Sequence, residues 1–331
     1  MIFPRRRILE VAAAATAFSI CAGAAQPQNF PTRNITIIVP YAAGGGADVA
    51  ARLVGEHMGS TLGKRVLIEN VSGGSGMIGT GRVARATADG YTVLVDQLAL
   101  AANVTLFPKA PFDVEKDLVG VGLINYSPLM IVGRKSLSAT SLAELVGWMK
   151  GVGQRARFAH AGLGTSSHLC AVLFAQSMKA QVEMIPYRGA APAISDIIAG
   201  HVDLYCTPPG NVAEYFKFGT VKAYGITSRD TVDGFPNVPS LVQLGYADLE
   251  LRFWQGMFAP AGTPKPILET LNAALRLALA DPNVRKSFEQ ADYSIFPKEE
   301  QTTAAADLLL RAEIARWGGI IRTNNIEAVQ R

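Results

Sequence analysis

The sequence predicts a two-domain α/β protein, and three observations carry that expectation. Its 331 residues exceed the roughly 100–200 that usually form one core, so about two domains are expected. Short β-branched runs alternate with amphipathic segments twice along the chain, the pattern of parallel sheets flanked by helices. A composition of 49% hydrophobic and 18% charged residues with few aromatics is that of an ordinary globular protein and excludes a disordered or fibrous chain.

The chain begins with a segment of a different kind. Arg5, Arg6 and Arg7 precede an uncharged run over 11–25 that ends in Ala22-Gly23-Ala24, which predicts a signal peptide over 1–25. Its apolar part is too short to span a bilayer, and no later stretch reaches the roughly 18 uncharged apolar residues of a transmembrane helix. Arg5-Arg6-Arg7-Ile8-Leu9 loosely matches a twin-arginine signal, but an ordinary secretory leader is favoured. Cys21 follows Ile20, where a lipid-attachment signal wants a small residue, so no lipid anchor is expected. Removing 1–24 deletes three arginines and one glutamate, leaving 28 basic and 26 acidic residues and lowering the net charge from +4 to +2. No basic stripe remains to suggest nucleic acid, and the mild surplus suits an anionic ligand. Cys170 and Cys206 survive processing. An oxidising compartment permits a bridge between them, but the expectation is two small buried hydrophobes.

After the leader, strands are expected at 35–39, 66–69 and 91–95, with helices near 48–62 and 78–86. The theme returns after Pro128 with strands at 129–132, around Phe158, at 182–185 and at 202–206, and helices at 142–150, from Ser166, and at 191–199. No low-complexity linker separates the units, so extended strands through 120–128 should join them as a hinge. A strand at 253–259 and Pro260-Ala261-Gly262-Thr263-Pro264 lead into helices reaching about Thr323, with proline in the first turn. Packed back on the start of the chain, this tail makes domain 1 discontinuous, 26–126 and 228–331, with domain 2 inserted at 127–227.

The strongest local signal is Pro40-Tyr41-Ala42-Ala43-Gly44-Gly45-Gly46-Ala47-Asp48, between a parallel strand and a helix. Ligands of such sheets lie beyond the strands' carboxyl ends, where a glycine-rich turn exposes N–H groups and the helix directs its positive end at an anion. Asp48 is expected to cap the helix. No lysine follows the glycines, so nucleotide binding is not expected. Gly162-Leu163-Gly164-Thr165-Ser166-Ser167-His168 offers a second cradle from the other domain, although either hydroxyl could serve only as a cap; His168 is expected to be structural. Gly79-Thr80-Gly81-Arg82-Val83-Ala84 matches a dinucleotide fingerprint but sits inside a helix, so it is read as packing. Gly73-Gly74-Ser75-Gly76-Met77 misses the nucleophile-elbow pattern. Four histidines without ligand spacing give no support for a metal, and no cofactor is expected.

Taken together, these motifs resemble the Bug family, periplasmic binding proteins of tripartite tricarboxylate transporters, over almost the whole mature chain. The marks are Ile37-Ile38-Val39-Pro40-Tyr41 with Gly44-Gly45-Gly46 and Asp48; Glu69-Asn70; Asp89-Gly90-Tyr91-Thr92; Thr165-Ser166-Ser167-His168-Leu169; Pro186-Tyr187-Arg188-Gly189; Gly200 with Val202-Asp203; and Ala259-Pro260-Ala261-Gly262-Thr263-Pro264. The resemblance implies a type II periplasmic-binding fold of two α/β domains joined by a strand hinge, closing on a carboxylate, with delivery to membrane permease subunits. Carried over by position, ligand contacts fall on Tyr41, Ala43, Gly44 and Gly45, and on Gly164, Thr165 and Ser166. The loop after the third strand, usually rich in Gly and Ser in the family, reads Asp96-Gln97-Leu98-Ala99 here, and Cys206-Thr207-Pro208-Pro209 stands where many members place an aspartate for an ammonium. A neutral pocket there argues against amino acids. Gln97, Leu98, Leu163, Cys206 and Thr207 complete the expected site, with Tyr41, Leu98, Leu163 and Cys206 as apolar flanks.

The expectation is therefore a monomeric periplasmic binder of a small carboxylate, an aromatic acid or dicarboxylate, with no catalysis. A secreted hydrolase lacks a nucleophile with a base in reach. A transcription regulator would carry a DNA-binding helix pair instead of a leader. A receptor feeding a sensor kinase stays open.

Overall fold

The computed structural model describes residues 30–232 and 234–329; the expected signal peptide, with Cys21, lies outside the described residues. The chain runs β1 (Ile35–Val39), α1 (Gly46–Leu62), β2 (Val66–Asn70), α2 (Met77–Ala84), β3 (Thr92–Gln97), α3 (Ala99–Leu106), α4 (Val114–Asp117), β4 (Leu118–Pro128) and β5 (Met130–Arg134). It continues α5 (Leu142–Val152), β6 (Arg157–His160), α6 (Ser166–Ser177), β7 (Glu183–Pro186), α7 (Ala190–Ala199), β8 (Leu204–Thr207), α8 (Ala213–Lys217) and β9 (Val221–Ile226). It ends with β10 (Arg252–Pro260), α9 (Lys265–Ala280), α10 (Pro282–Gln290), β11 (Ser294–Ile295) and α11 (Thr303–Thr323).

Two sheets result, ordered β11-β4-β10-β3-β1-β2 and β7-β6-β8-β5-β9. In the first, β1 lies parallel to both β2 and β3, while β10 runs antiparallel between β3 and β4. Ile35, Ile37, Ile38 and Val39 are all fully buried, as expected of a strand covered on both faces. In the second sheet β6 lies parallel to β7 and β8. The tail does pack on the first sheet: α9 lies against α1 and β4, and α11 against α3 and β4. Ile267, Leu271, Ala274, Leu275 and Ala278 form the buried stripe of α9, at helical spacing.

The chain leaves the first sheet where β4 gives way to β5 and returns through 227–251 into β10. Thr227 ties these passages together. Its N–H donates to the Leu129 carbonyl (2.8 Å), and its hydroxyl accepts from the Leu129 N–H (2.8 Å) and donates to the Leu251 carbonyl (2.8 Å). Leu251 returns an N–H to the Thr227 carbonyl at 3.2 Å. All three residues are buried, so the hinge is a hydrogen-bonded crossing of strands.

Three expectations need correction. The segment 96–99 is not a loop, because Asp96 and Gln97 complete β3 and Leu98 opens α3. Asp48 is not the helix cap: Gly45 holds that position without a side-chain bond, and Asp48, inside the first turn, reaches back to the Gly44 N–H (2.9 Å). Cys170 and Cys206 are not free thiols but a disulfide, with Cα atoms 6.2 Å apart. The separation of 36 residues carried no hint of contact; only the packing of α6 against β8 brings the two together at a bridgeable distance. Closing a loop of that length should stabilise the fold by on the order of 2–4 kcal/mol. Full reduction, or Cys206→Ser, is therefore expected to lower Tm clearly, read by thermal unfolding with and without dithiothreitol; an unchanged Tm after confirmed reduction would refute a stabilising bridge.

Candidate functional site

Three helices start at one place. The chain turns from β1 into α1, from β6 into α6 and from β7 into α7, and residues from all three turns line a single cavity between the sheets. Gly45 and Gly189 cap α1 and α7 without a side-chain bond, so the first-turn N–H groups at Gly46, Ala47 and Ala190 have no intrahelical acceptor. Each helix start carries about half a positive charge. Among the described residues no Asp, Glu, Lys or Arg lines the cavity. The arrangement can therefore hold an anion with neutral groups alone.

The first loop is shaped from behind. Asp48 accepts from the Gly44 N–H, from Arg52 Nε (3.0 Å) and from Asn70 Nδ2 (3.0 Å), and Asn70 Nδ2 also donates to the Tyr41 carbonyl (3.1 Å). Burial raises the Asp48 pKa, but the bonds from Arg52, Gly44 and Asn70 outweigh it and hold the group below its ordinary value. The Gly44 N–H is thus spent on Asp48. Gly46 must lack a side chain because a Cβ there would lie 2.7 Å from the Tyr293 hydroxyl.

Beneath the loop, Tyr41 donates its hydroxyl proton to Asp96 Oδ1 (2.8 Å), while the Gln97 N–H (2.7 Å) and Thr80 hydroxyl (3.0 Å) also donate to the Asp96 carboxylate. Burial pushes the Asp96 pKa up to about 6 despite these donors. Burial, reinforced by the Asp96 charge, drives the Tyr41 pKa far above its usual value.

In the second lobe Thr165 caps α6, accepting from the His168 N–H (3.4 Å) and donating to the Gly162 carbonyl (2.6 Å). Ser167 accepts from the Ala161 N–H at 2.9 Å and pairs with the Thr165 hydroxyl at 3.0 Å. Two buried histidines hold this turn as acceptors, His168 Nδ1 from the Gly164 N–H (3.2 Å) and His160 Nδ1 from the Gly162 N–H (3.3 Å). Burial lowers both pKa values, that of His168 to about 3 with a further push from His160. Neutral rings are required, so His168 is structural.

The lobes meet around the cavity. Tyr293, after α10, donates to Asn211 Oδ1 of the other lobe (3.2 Å), and Asn211 Nδ2 donates to the Thr207 hydroxyl (3.0 Å). The cavity is closed down to about 30 Å³, room for a water or two, so the lobes must part to admit anything larger. A far larger cavity, about 1230 Å³, lies on the hinge side beside Thr227 and Arg252, away from the glycine loops. Of its charged lining, Arg229 pairs with Glu250 at 2.8 Å and Arg316 with Glu313 at 3.2 Å, and Asp230, Asp248 and Arg252 line it as well. The smaller cavity, where the three helix starts converge, is the candidate site.

Of the residues expected from sequence, Tyr41, Gly45, Gln97, Thr165, Ser166 and Cys206 line the cavity. Ala43 and Gly44 are exposed on the loop outside its wall, and Leu163 lies beside it, half-buried. Leu98 is buried in the core, its N–H bonded to the Trp254 carbonyl (3.2 Å). Gly164, with φ of 75°, packs so tightly that a Cβ would meet Asn103 Oδ1 at 2.2 Å. Thr207 is wholly buried behind the wall. Ser167 and Gly189 line the cavity from motifs already singled out, whereas Tyr205, Asn211, Phe253 and Tyr293 do so with no local signature.

Two α/β lobes joined by crossing strands, with helix starts facing across a cleft, define a solute-binding protein with the type II periplasmic-binding fold. The chain belongs to the tripartite tricarboxylate transporter family of receptors, whose model matches residues 50–326. It is 38% identical over 298 residues to the UPF0065 protein of the TAR-I ttuE-ttuC' intergenic region of Agrobacterium vitis, covering 90% of this chain and 86% of that one. Among solved structures it resembles the periplasmic binding protein BugD (32% identity, TM-score 0.87, 91% of this chain and all of that one). It also resembles MatC from Rhodopseudomonas palustris with bound malate (33% identity, TM-score 0.85, 88% of this chain and all of that one).

The histidine pair generates a pH test. A histidine whose pKa is depressed on folding binds fewer protons folded than unfolded, so its stability contribution is complete above about pH 6.5 and is lost as pH falls below it. With His168 near 3, about 2 kcal/mol should be lost between pH 7.5 and 5.0 through this residue. In His168→Asn, whose Oδ1 can replace Nδ1 as acceptor, the loss over that interval should shrink by about that amount in chemical denaturation. Identical pH dependence in variant and wild type would refute the assignment.

Proposed function

We propose that the protein is a periplasmic receptor that captures a small, amine-free carboxylate between its lobes and delivers it to the membrane subunits of a tripartite tricarboxylate-type transporter. The observation that carries this reading is the convergence of three helix starts on a cavity that no charged side chain of the described residues lines. A carboxylate satisfies the N–H groups there, whereas an ammonium finds no lining acid to pair with. The leader-like start of the sequence supports export to the periplasm. Family membership supports transport, and the malate held by MatC supports a carboxylate. Apolar flanks come from Tyr205, Phe253 and Tyr293 in place of Leu98 and Leu163, and these rings suit an aromatic acid or the methylenes of a dicarboxylate. Catalysis is not part of the reading: His168, the histidine nearest the serines in sequence, already accepts from the Gly164 backbone.

Two results are expected. A panel of malate, adipate, benzoate and matched amino acids, read by thermal shift and calorimetry, should show binding of amine-free acids that leaves them chemically unchanged; at a hundred times Kd, stabilisation of about 2.7 kcal/mol is expected. Tighter binding of aspartate or glutamate than of every amine-free acid would sink the reading.

The second concerns Asp96, whose charge lies one hydrogen bond behind the cavity-lining Tyr41 and opposes a bound anion. Because its pKa is raised to about 6, protonation removes that opposition as pH falls through 6. Carboxylate affinity should rise several-fold from pH 7.5 to 5.5, and Asp96→Asn should bind at pH 7.5 as the wild type does at the lower pH. Calorimetry on both proteins decides; flat affinity in the wild type would exclude the coupling.

A further inference from the structure

A row of amide side chains crosses the first sheet beside the cavity. Gln97 of β3 pairs in register with Gln255 of β10, and Gln255 with Asn125 of β4. Directly paired residues share a face of the sheet, as do residues two apart on one strand. Gln97 and Phe253 line the cavity, so Gln255 lies between two lining residues, on their face, and Asn125 stands one strand further. Both amides are fully buried, and neither the nitrogen nor the oxygen of either has a hydrogen-bond partner. Buried amides are almost always paired, and leaving them unpaired is costly. Packing alone would be better served by leucine or methionine at the same volume.

The chemistry of the two amides narrows what they can serve. Each presents an NH₂ group and a carbonyl acceptor, and among the described residues no charged side chain lines the cavity beside them. A carboxylate only accepts and would leave both carbonyls facing a negative charge. An ammonium only donates. A hydroxyl both donates and accepts, and so can bond an amide's N–H and its carbonyl at once.

We propose that Gln255, backed by Asn125, is the specificity-determining residue that reads a hydroxyl on the ligand, away from the carboxylate held at the helix starts. The inference rests on the carboxylate reading above and adds the second group of the ligand. Three rotatable bonds let the Gln255 amide turn toward the cavity, while Asn125, shorter and one strand farther off, stands behind it. The receptor thus prefers hydroxy acids over their deoxy parents.

The test compares matched acids on the full mature protein: malate with succinate, and 4-hydroxybenzoate with benzoate, by calorimetry. In the wild type the hydroxylated member of at least one pair should bind about tenfold or more tighter, the size of one good hydrogen bond. In Gln255→Met that ratio should fall toward one through loss of the hydroxy acid alone, while the deoxy acid binds within about threefold of wild type and Tm is unchanged or raised. Gln255→Asn, which keeps an amide but withdraws it by one methylene, should also lose the preference and guards against a misfolded methionine variant. A wild type without preference, or a preference that survives both variants, overturns the inference. Equal weakening of both acids with a lowered Tm overturns it too, by assigning the amides to structural water. If amine-free acids bind without discrimination, only this inference falls; if none binds, the carboxylate reading falls with it.

Discussion

The constraint on which the rest of the structure depends is that three parallel strands deliver their chain to one point. β1, β6 and β7 each end at the cleft, and each leads into a helix whose first N–H groups lack intrahelical acceptors, with that of His168 capped by Thr165. A cation would bind an anion more strongly, but it would be a buried unpaired charge whenever the cleft was empty. Helix starts supply positive potential without that cost. They also make binding depend on closure, since α1 belongs to one lobe and α6 and α7 to the other. Neither lobe holds the full cradle.

What is rigid and what can move follows from where the strong connections lie. The disulfide ties α6 to β8, both in the second lobe, so it stiffens half of the cradle and does not cross the cleft. The Thr227 cluster does cross between sheets, but only at the axis about which they turn. Beyond it the cross-lobe hydrogen bonds among the described residues are few, Tyr293 to Asn211 at the cavity and Gln176 Nε2 to the Asn324 carbonyl (3.1 Å) away from it, with close approaches such as Gly189 to Ala42. Such contacts favour a closed form without locking it.

The parts legible in the sequence were those set by local chemistry. Alternating β-branched and amphipathic runs located most strands and helices of both sheets but left β9, β11, α3, α4 and α8 unplaced, and the glycine turn before α1 and the Thr-Ser-Ser turn before α6 announced their helix starts. Residues placed by long-range packing were not legible. Phe253 reaches the cavity because β10 returns between β3 and β4, and Tyr293 because the turn after α10 folds over Gly46. Leu98 misled for the same reason in reverse: α3 begins at once and carries it into the core. Cys170 and Cys206 look unrelated until α6 lies over β8. Gly189 sat in a recognised motif, yet only the structure shows that its turn makes the third helix start.

The hydroxyl of Tyr41 illustrates how the site divides its labour. It donates to Asp96, so its proton is not free for a ligand, and the residue meets the cavity with its ring. Asp96 therefore acts as a clamp on an aromatic wall, and its buried charge is the cost of holding that wall still. With Tyr41, Thr165 and Ser167 all engaged in protein hydrogen bonds, the donors open to a carboxylate are backbone N–H groups together with the Ser166 hydroxyl. Backbone N–H groups recognise that a carboxylate is present but say nothing about the molecule that bears it. Discrimination must then come from the rest of the lining: the rings of Tyr205, Phe253 and Tyr293, which set width, and the amide side chains along the first sheet, which set polarity. A family fold with a common anion cradle can in this way serve different acids by changing residues that never touch the carboxylate.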